Sequence, residues 1–150
     1  MADDAEAVRA ANAALYEAFE QADLDLMQAV WLDDAHADEV VCVHPGWPAL
    51  RGRGTVLRSW AMIMANTAYI QFVLTDVEVA VHGDVAVVTC AENILTGMPE
   101  VAEPLPGAAA GLSGGRTAAT NVFRRTPAGW RLWVHHASPV IETDEEEEPG

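Results

Sequence analysis

The sequence predicts an α+β domain in which three N-terminal helices pack on a strongly curved, mainly antiparallel sheet. Two observations predict it. Apolar residues up to position 66 recur mostly at the three- and four-residue spacing of amphipathic helices, interrupted by one short strand-like run. From position 70 onward the spacing changes to two, the period of a half-buried strand, and turn-forming residues at 82–84 and 127–129 divide this part into paired strands.

The helical part begins with two helices. The first is expected over residues 4–21, with its apolar side chains on one face and Tyr16 at the edge of that face. Asp23 is the expected cap of a second, shorter helix that turns its own apolar residues inward. The apolar positions are Val8, Ala11, Leu15 and Phe19 in the first helix and Leu26, Met27, Val30 and Trp31 in the second.

A short strand and a third helix complete the helical part. Residues 39–44 form a strand-like run that Pro45 and Gly46 stop. Residues 47–52 are expected to form a loop, and residues 54–66 the third helix.

The first long hairpin contains a change of phase. Residues 70–74 and 77–81 both alternate, but one residue out of step around Asp76, which predicts a β-bulge and a bent sheet. Residues 82–84 reverse the chain, and 85–95 form the partner strand. The segment 97–115 has no periodicity and is too long for a minimal hairpin turn, so we interpret it either as a lid over a pocket or as a tolerated insertion.

The last hairpin, residues 116–138 with its turn at 127–129, is expected to form a pocket wall. In its first strand Asn121 shares a face with Thr117, Ala119 and Phe123. In its second strand, strict alternation places Trp130, Leu132, Val134 and His136 on one face and Arg131, Trp133 and His135 on the other.

Composition limits the classes of function. The 150 residues fit one domain, expected over 1–141, with an acidic, disordered tail at 142–150. The net charge of −15 argues against nucleic-acid binding. All eight basic residues are arginine, which excludes Schiff-base chemistry on a lysine. An acidic N-terminus and the absence of a long apolar stretch predict a cytoplasmic chain with no membrane association, and Cys42 and Cys90 are expected to be buried free thiols.

Several motifs resemble the nuclear transport factor 2-like superfamily, particularly its SnoaL-like branch. They are residues 22–35, His44-Pro45, Leu-Arg-Gly-Arg-Gly at 50–54, His-Gly-Asp-Val-Ala at 82–86, and 120–138 from Thr-Asn-Val-Phe-Arg-Arg to His-Ala-Ser. The resemblance implies a cone-shaped cavity between helices and sheet, and commonly a homodimer. Its members include ketosteroid isomerase, scytalone dehydratase, polyketide cyclases and the calcium/calmodulin-dependent kinase II association domain, which the C-terminal pattern also resembles. The superfamily thus includes enzymes and assembly modules.

His44 is the first candidate for proton transfer. It precedes Pro45 where the isomerase branch has an Asp that abstracts a proton, and imidazole can do this work near neutral pH. Because the residue differs, the steroid isomerase reaction does not carry over. The isomerase branch also has a Tyr in its oxyanion hole. Tyr16 lies about one residue from the helix position that matches this Tyr, and it is retained as a ligand-binding candidate.

His136, Asn121 and Glu92 are polar residues on otherwise apolar strands. Together they suit a base, a hydrogen-bonding group that orients the substrate, and a carboxylate. The alternative is a buried polar network that only satisfies itself. A metal site is not expected, because His135 and His136 point to opposite faces of a regular strand, and we expect no cofactor.

Aromatic residues are the expected apolar lining. Trp47, in the loop beside His44, is the best candidate for a pocket mouth, whereas most of the others also suit a core. The ligand-binding candidates are Tyr16, Trp31, Trp47, Trp60, Glu92 and Phe123.

Two functions remain open. The first is a domain that binds a small apolar or polyketide-like molecule, with cofactor-free dehydratase, isomerase or cyclase activity in which His44 and His136 handle a proton and Asn121 orients the substrate. The second is a non-catalytic dimerisation or partner-binding module. A homodimer is expected through the outer sheet face, which carries Tyr69, Gln71, Val73, Arg131, Trp133 and His135.

Overall fold

The structure is a computed structural model that describes residues 3–97 and 112–141, with the backbone alone for 112 and 113. The helices are α1 Asp4–Gln21, α2 Leu24–Val30 and α3 Arg53–Ala65, with a 3₁₀ turn at Ala37–Glu39. The strands are β1 Val41–Val43, β2 Leu50–Arg51, β3 Tyr69–His82, β4 Val85–Gly97, β5 Leu112–Thr126 and β6 Gly129–Pro139.

One six-stranded sheet has the order β2-β1-β6-β5-β4-β3. Only β1 and β6 pair in parallel in this described sheet; every other neighbouring pair is antiparallel. The three helices lie on the concave inner face and enclose the core with it. The α+β prediction is confirmed. The sequence missed β2, which is two residues long, and the segment 98–111 and the tail 142–150 lie outside the described residues.

Side-chain caps define the two N-terminal helices. The Asp3 carboxylate accepts from the Ala5 N–H at the start of α1. The Asp23 carboxylate accepts from the Leu26 N–H at the start of α2, as the sequence predicts. The other end of α2 is capped from a distance. The Arg53 guanidinium donates to the carbonyls of Gln28 (2.9 Å), Trp31 (2.8 Å) and Leu32 (3.2 Å).

Replacing Arg53 with methionine should therefore lower the free energy of unfolding by about 2–3 kcal/mol, because three carbonyls lose a charged donor. Arg58→Met is the matched control, since the exposed Arg58 bonds only Thr55 among the described residues, at 3.3 Å, and should change stability by less than about 0.5 kcal/mol. Urea titrations of both variants measure this, and equal losses would contradict the capping role.

Two bulges bend the sheet. The register of β3 on β4 shifts between Thr75 and Glu78, and Asp76 has φ +55°, which confirms the predicted bulge. A second shift lies between β5 and β6. Val122 pairs with Val134 but Phe123 pairs with Leu132, so Trp133 is an extra residue on β6. Alternation along β6 therefore changes phase at this point.

The second bulge corrects the predicted faces of β6. Trp130 and Leu132 are buried as expected, but past Trp133 the inward residues are His135 and Ala137. His136 is exposed. On β5, by contrast, Thr117, Ala119, Asn121 and Phe123 are all buried, so the predicted face is confirmed there.

Both cysteines are buried free thiols, as expected. In the described part of the chain, no helix combines the length and apolarity that a membrane span requires.

Candidate functional site

A pocket of about 330 Å³ lies between α1, α3 and the inner face of the sheet. Its walls are mostly apolar, and four titratable side chains, Tyr16, His44, Glu92 and His135, reach it. No arginine of the described segments lines it. The complete lining is Tyr16, Phe19, His44, Pro45, Trp47, Trp60, Ile63, Ile70, Phe72, Glu92, Ile94, Thr96 and His135.

His135 is held in one orientation by Asn121, its direct cross-strand partner. Its Nδ1 lies 2.6 Å from the Asn121 Oδ1. Because an amide oxygen can only accept, Nδ1 carries the proton and donates it. The other ring nitrogen, Nε2, therefore keeps its lone pair on a ring that faces the pocket.

A chain of hydrogen bonds with one direction runs on from Asn121. Its Nδ2 donates to the Asn12 Oδ1 at 2.7 Å and to the Tyr16 Oη at 3.1 Å. The Tyr16 hydroxyl donates to the Glu92 Oε2 at 2.5 Å, and the Thr117 hydroxyl donates to Oε1. The Tyr16 and Thr117 hydroxyls therefore converge on the Glu92 carboxyl group, where this branch of the chain ends.

Ionisation of this chain is controlled by burial. Burial raises the pKa of Glu92, and the hydroxyls of Thr117 and Tyr16 oppose that rise by donating to the carboxylate. The pKa of Tyr16 is raised, first by burial and then by the Glu92 charge, so Tyr16 keeps its proton near neutral pH. Burial, followed by the neighbouring His136, lowers the pKa of His135 to about 4. Its imidazole is therefore neutral at pH 7.

His44, at the end of β1, is the second neutral imidazole. The Ser59 hydroxyl donates to the Val56 carbonyl at 2.6 Å, so it accepts from the His44 Nε2, 2.9 Å away. Burial, followed by His135, lowers the pKa of His44 to about 4. Trp47 and Trp60 meet its ring edge to face, with centroids 4.9 and 4.7 Å away. Trp47 thus lies beside His44, as the sequence predicts.

The chain is similar to known proteins along most of its length. A profile of the SnoaL-like domain matches residues 8–142. The chain belongs to the SnoaL-like family. One similar crystal structure is a candidate dehydratase of the NTF2-like family from Streptomyces avermitilis, with 56% identity, TM-score 0.83, and coverage of 93% of this chain and 98% of that one.

More distant structures share the fold of this SnoaL-like domain. A candidate calcium/calmodulin-dependent protein kinase type II association domain from Thiobacillus denitrificans is 32% identical, with TM-score 0.71 and coverage of 89% and 94%. An NTF2-like protein with a cystatin-like fold from Novosphingobium aromaticivorans is 20% identical, with TM-score 0.68 and coverage of 95% and 85%. No curated protein matches the chain.

Three of the expected site residues lie elsewhere in the SnoaL-like domain. His136 is exposed on the outer face, because the bulge at Trp133 brings His135 inward instead. Trp31 and Phe123 are fully buried and do not line the pocket, so they are core residues. The pocket does bring together the side chains of Tyr16, His44, Trp47, Trp60 and Glu92, while Asn121 lies behind them against His135.

Sequence reasoning missed His135, Asn12, Ser59 and Thr117. Asn12 carried a signal, because it is a polar residue between Ala11 and Leu15 near the apolar stripe of α1, and it is 1% exposed. Ser59 lies next to Trp60 in the same way. Among the described residues, no three His, Cys, Asp or Glu side chains are grouped closely enough to hold a metal ion.

The buried imidazoles predict a pH-dependent stability. Burial lowers the pKa of His135 from its ordinary value of 6.5, which it has in the unfolded chain, to about 4 in the folded chain, so between these values the unfolded chain binds more protons. This contribution is complete above pH 6.5 and is lost as pH falls toward 4. The lowered pKa of His44 also reduces the free energy of unfolding as pH falls. The raised pKa of Glu92 reduces it as pH rises.

The difference in unfolding free energy between wild type and His135→Gln should therefore shrink from pH 7 to pH 4.5, because the glutamine does not titrate. Urea titrations at both pH values measure the difference. A difference independent of pH would contradict the lowered pKa.

Proposed function

We propose that this SnoaL-like domain binds a small, neutral, apolar molecule that carries hydroxyl groups, and that it catalyses a cofactor-free proton transfer of the dehydratase or isomerase type. The observation that carries the proposal is the arrangement of His135. The Asn121 Oδ1 accepts a hydrogen bond from the Nδ1–H of His135. The Nε2 of His135 is left to bind a ligand, and the ring is neutral. A group held this way can accept a substrate proton.

The lining supports the ligand class. Rings from α1, α3, β3 and the loop after β1 form the walls, which suits a flat apolar body. The neutral imidazoles offer lone pairs, and a ligand hydroxyl or enol supplies the matching donor. A carboxylate or phosphate ligand would lack a cationic partner among the described lining residues.

A single base suffices for dehydration of a β-hydroxy ketone. The His135 Nε2 takes the proton from the carbon next to the carbonyl, and the carbon–oxygen bond to the hydroxyl breaks as the double bond forms. The departing hydroxide takes the same proton back from His135 and leaves as water, so charge and atoms balance. In the imidazolium stage, the Asn121 Oδ1 still accepts from the Nδ1–H of His135 and keeps the ring in place.

The non-catalytic module is the competing function, since one similar structure is a candidate association domain. Such a module has no need of an open interior, and its bulky residues are expected to fill it. Here a cavity of about 330 Å³ remains, and it reaches both His44 and His135. This observation favours the ligand-binding function.

A screen of neutral β-hydroxy ketones with one or two aromatic rings tests the proposal. Product enones absorb at longer wavelength than the hydroxy ketones, so dehydration is followed by ultraviolet absorbance. Binding of 2-naphthol, followed by tryptophan fluorescence, tests the pocket separately. We expect binding, and turnover that His135→Gln lowers by about 10²–10⁴-fold. Absence of both binding and turnover would leave the association function as the better account.

We also propose a homodimer through the outer sheet face. Tyr69 and Val73 on β3 and Leu95 on β4 are 45%, 61% and 36% exposed there. His135, expected on this face, lies inside, and Trp133 is partly covered by the Arg124 guanidinium, 5.5 Å from its ring. Light scattering should give twice the chain mass at micromolar concentration, and Val73→Glu should shift it toward the monomer. A monomeric wild type would refute the dimer.

A further inference from the structure

A second cavity lies directly behind one wall of the pocket. It is a groove of about 300 Å³ on the outer side of α1, between that helix and β3. Its lining is Ala13, Tyr16, Glu17, Glu20, Phe72 and Leu74. The pocket and the groove share two residues, Tyr16 and Phe72.

The shared residues form a thin partition. The rings of Tyr16 and Phe72 meet edge to face with centroids 5.0 Å apart, and the two cavities lie against this ring pair. Tyr16 is fixed by hydrogen bonds to Glu92 and Asn121. The Phe72 side chain makes no polar contact, is only partly buried, and is held by its ring contacts with Tyr16 and with Phe19 at 5.4 Å. Phe72 is therefore the removable half of the partition.

We propose that Phe72 determines the length of the ligand that this pocket accepts. Its ring closes the pocket at the α1–β3 side, so the native pocket takes a compact ligand, near the lower end of the roughly 300–1,000 Å³ range of small-molecule sites. Without the ring, the pocket continues into the groove and the available space roughly doubles. The inference rests on the proposed function, because it concerns the ligand of the same pocket.

The lining of the groove also determines which chemical group a longer ligand can place there. Part of its lining is apolar, formed by Ala13 and Leu74. Its polar residues are two acids on α1, Glu17 and Glu20, and Glu20 accepts a hydrogen bond from the Phe72 backbone N–H at 2.8 Å. An arm that passes the partition therefore has an apolar stem and an uncharged end, since an anionic end would meet these carboxylates.

Phe72→Ala tests the proposal with two probes, 2-naphthol and 6-hexyl-2-naphthol. Phe19→Ala is the matched control, because Phe19 also lines the pocket and contacts Phe72 but does not line the groove. Removing Phe19 enlarges the pocket without joining the two cavities. Dissociation constants come from tryptophan fluorescence, with a thermal melt of each protein to establish folding.

We expect the affinity for the hexyl compound, relative to 2-naphthol, to rise at least about tenfold in Phe72→Ala, because the chain becomes buried. In Phe19→Ala the same ratio should stay near the wild-type value. A 6-(5-carboxypentyl)-2-naphthol probe should gain less than the hexyl compound in Phe72→Ala. An unchanged ratio in Phe72→Ala, or an equal gain in both variants, overturns the proposal, and an equal gain for the carboxylate probe overturns the assignment of the groove.

Failure of this proposal is separable from failure of the proposed function. If wild type binds 2-naphthol and the ratio does not change, the pocket function stands and the partition does not. If none of the proteins binds 2-naphthol, the proposed function fails, and a crystal structure of Phe72→Ala decides the partition: one continuous cavity supports it and two separate cavities overturn it. Should Phe72→Ala not fold, Phe72→Leu serves for the same measurements.

Discussion

Replacing His135 with glutamine should lower turnover by about 10²–10⁴-fold, the usual effect of removing a general base. Glutamine keeps a side chain of similar reach beside Asn121 but has no group that takes a proton, so kcat should fall while KM changes little. The wild-type rate should also decline as pH falls through about 4, where His135 becomes protonated. This decline in rate at low pH should be absent from the residual activity of His135→Gln.

His136→Gln is the matched control. It is the same substitution one residue further along β6, on the exposed face. Its rate should stay close to wild type, and 2-naphthol should bind all three proteins. A large loss of turnover in His136→Gln, with His135→Gln active, would show that the bulge at Trp133 does not turn β6 as described.

Replacing Phe123 with alanine should lower the free energy of unfolding by about 3–5 kcal/mol, because the ring is fully buried and its removal leaves a cavity. Affinity for 2-naphthol should not change in the folded fraction, since Phe123 does not line the pocket. Urea titration and fluorescence binding measure the two quantities on the same protein.

Trp47→Ala should show the opposite pattern. Trp47 is 36% exposed and contacts the His44 ring, so its loss should weaken ligand binding and cost little stability. If Phe123→Ala weakens binding without loss of stability, the core assignment of Phe123 is wrong and its expected role as a ligand-binding residue returns.

The sequence predicted those parts of the fold that depend on local periodicity. The bounds of α1 and the bulge at Asp76 follow from which residues are apolar, because a change in spacing is visible along the chain. Asn121 was placed on the inner face for the same reason. Parallel pairing of β1 with β6 was not predictable in this way, since it joins Val41 to Val134 across the whole domain.

Local sequence patterns could not predict which of His135 and His136 faces the pocket. The two residues are adjacent and identical, so only the phase of β6 distinguishes them. That phase depends on the extra residue Trp133, whose position is set by the pairing with β5 and not by β6 itself. Asn12 and Ser59 are similar cases, because a polar residue beside an apolar helix face is informative only when its partner on another element is known.

The bond from the Phe72 N–H to Glu20 has a consequence for self-association. β3 is the outermost strand of the described sheet, and an open strand edge is a template on which further strands add and aggregates grow. Glu20 occupies one of its donors and places a negative charge against the edge. Glu20→Ala should therefore leave the binding pocket intact yet make concentrated protein more prone to precipitate on storage, a liability that the native chain avoids with a single carboxylate.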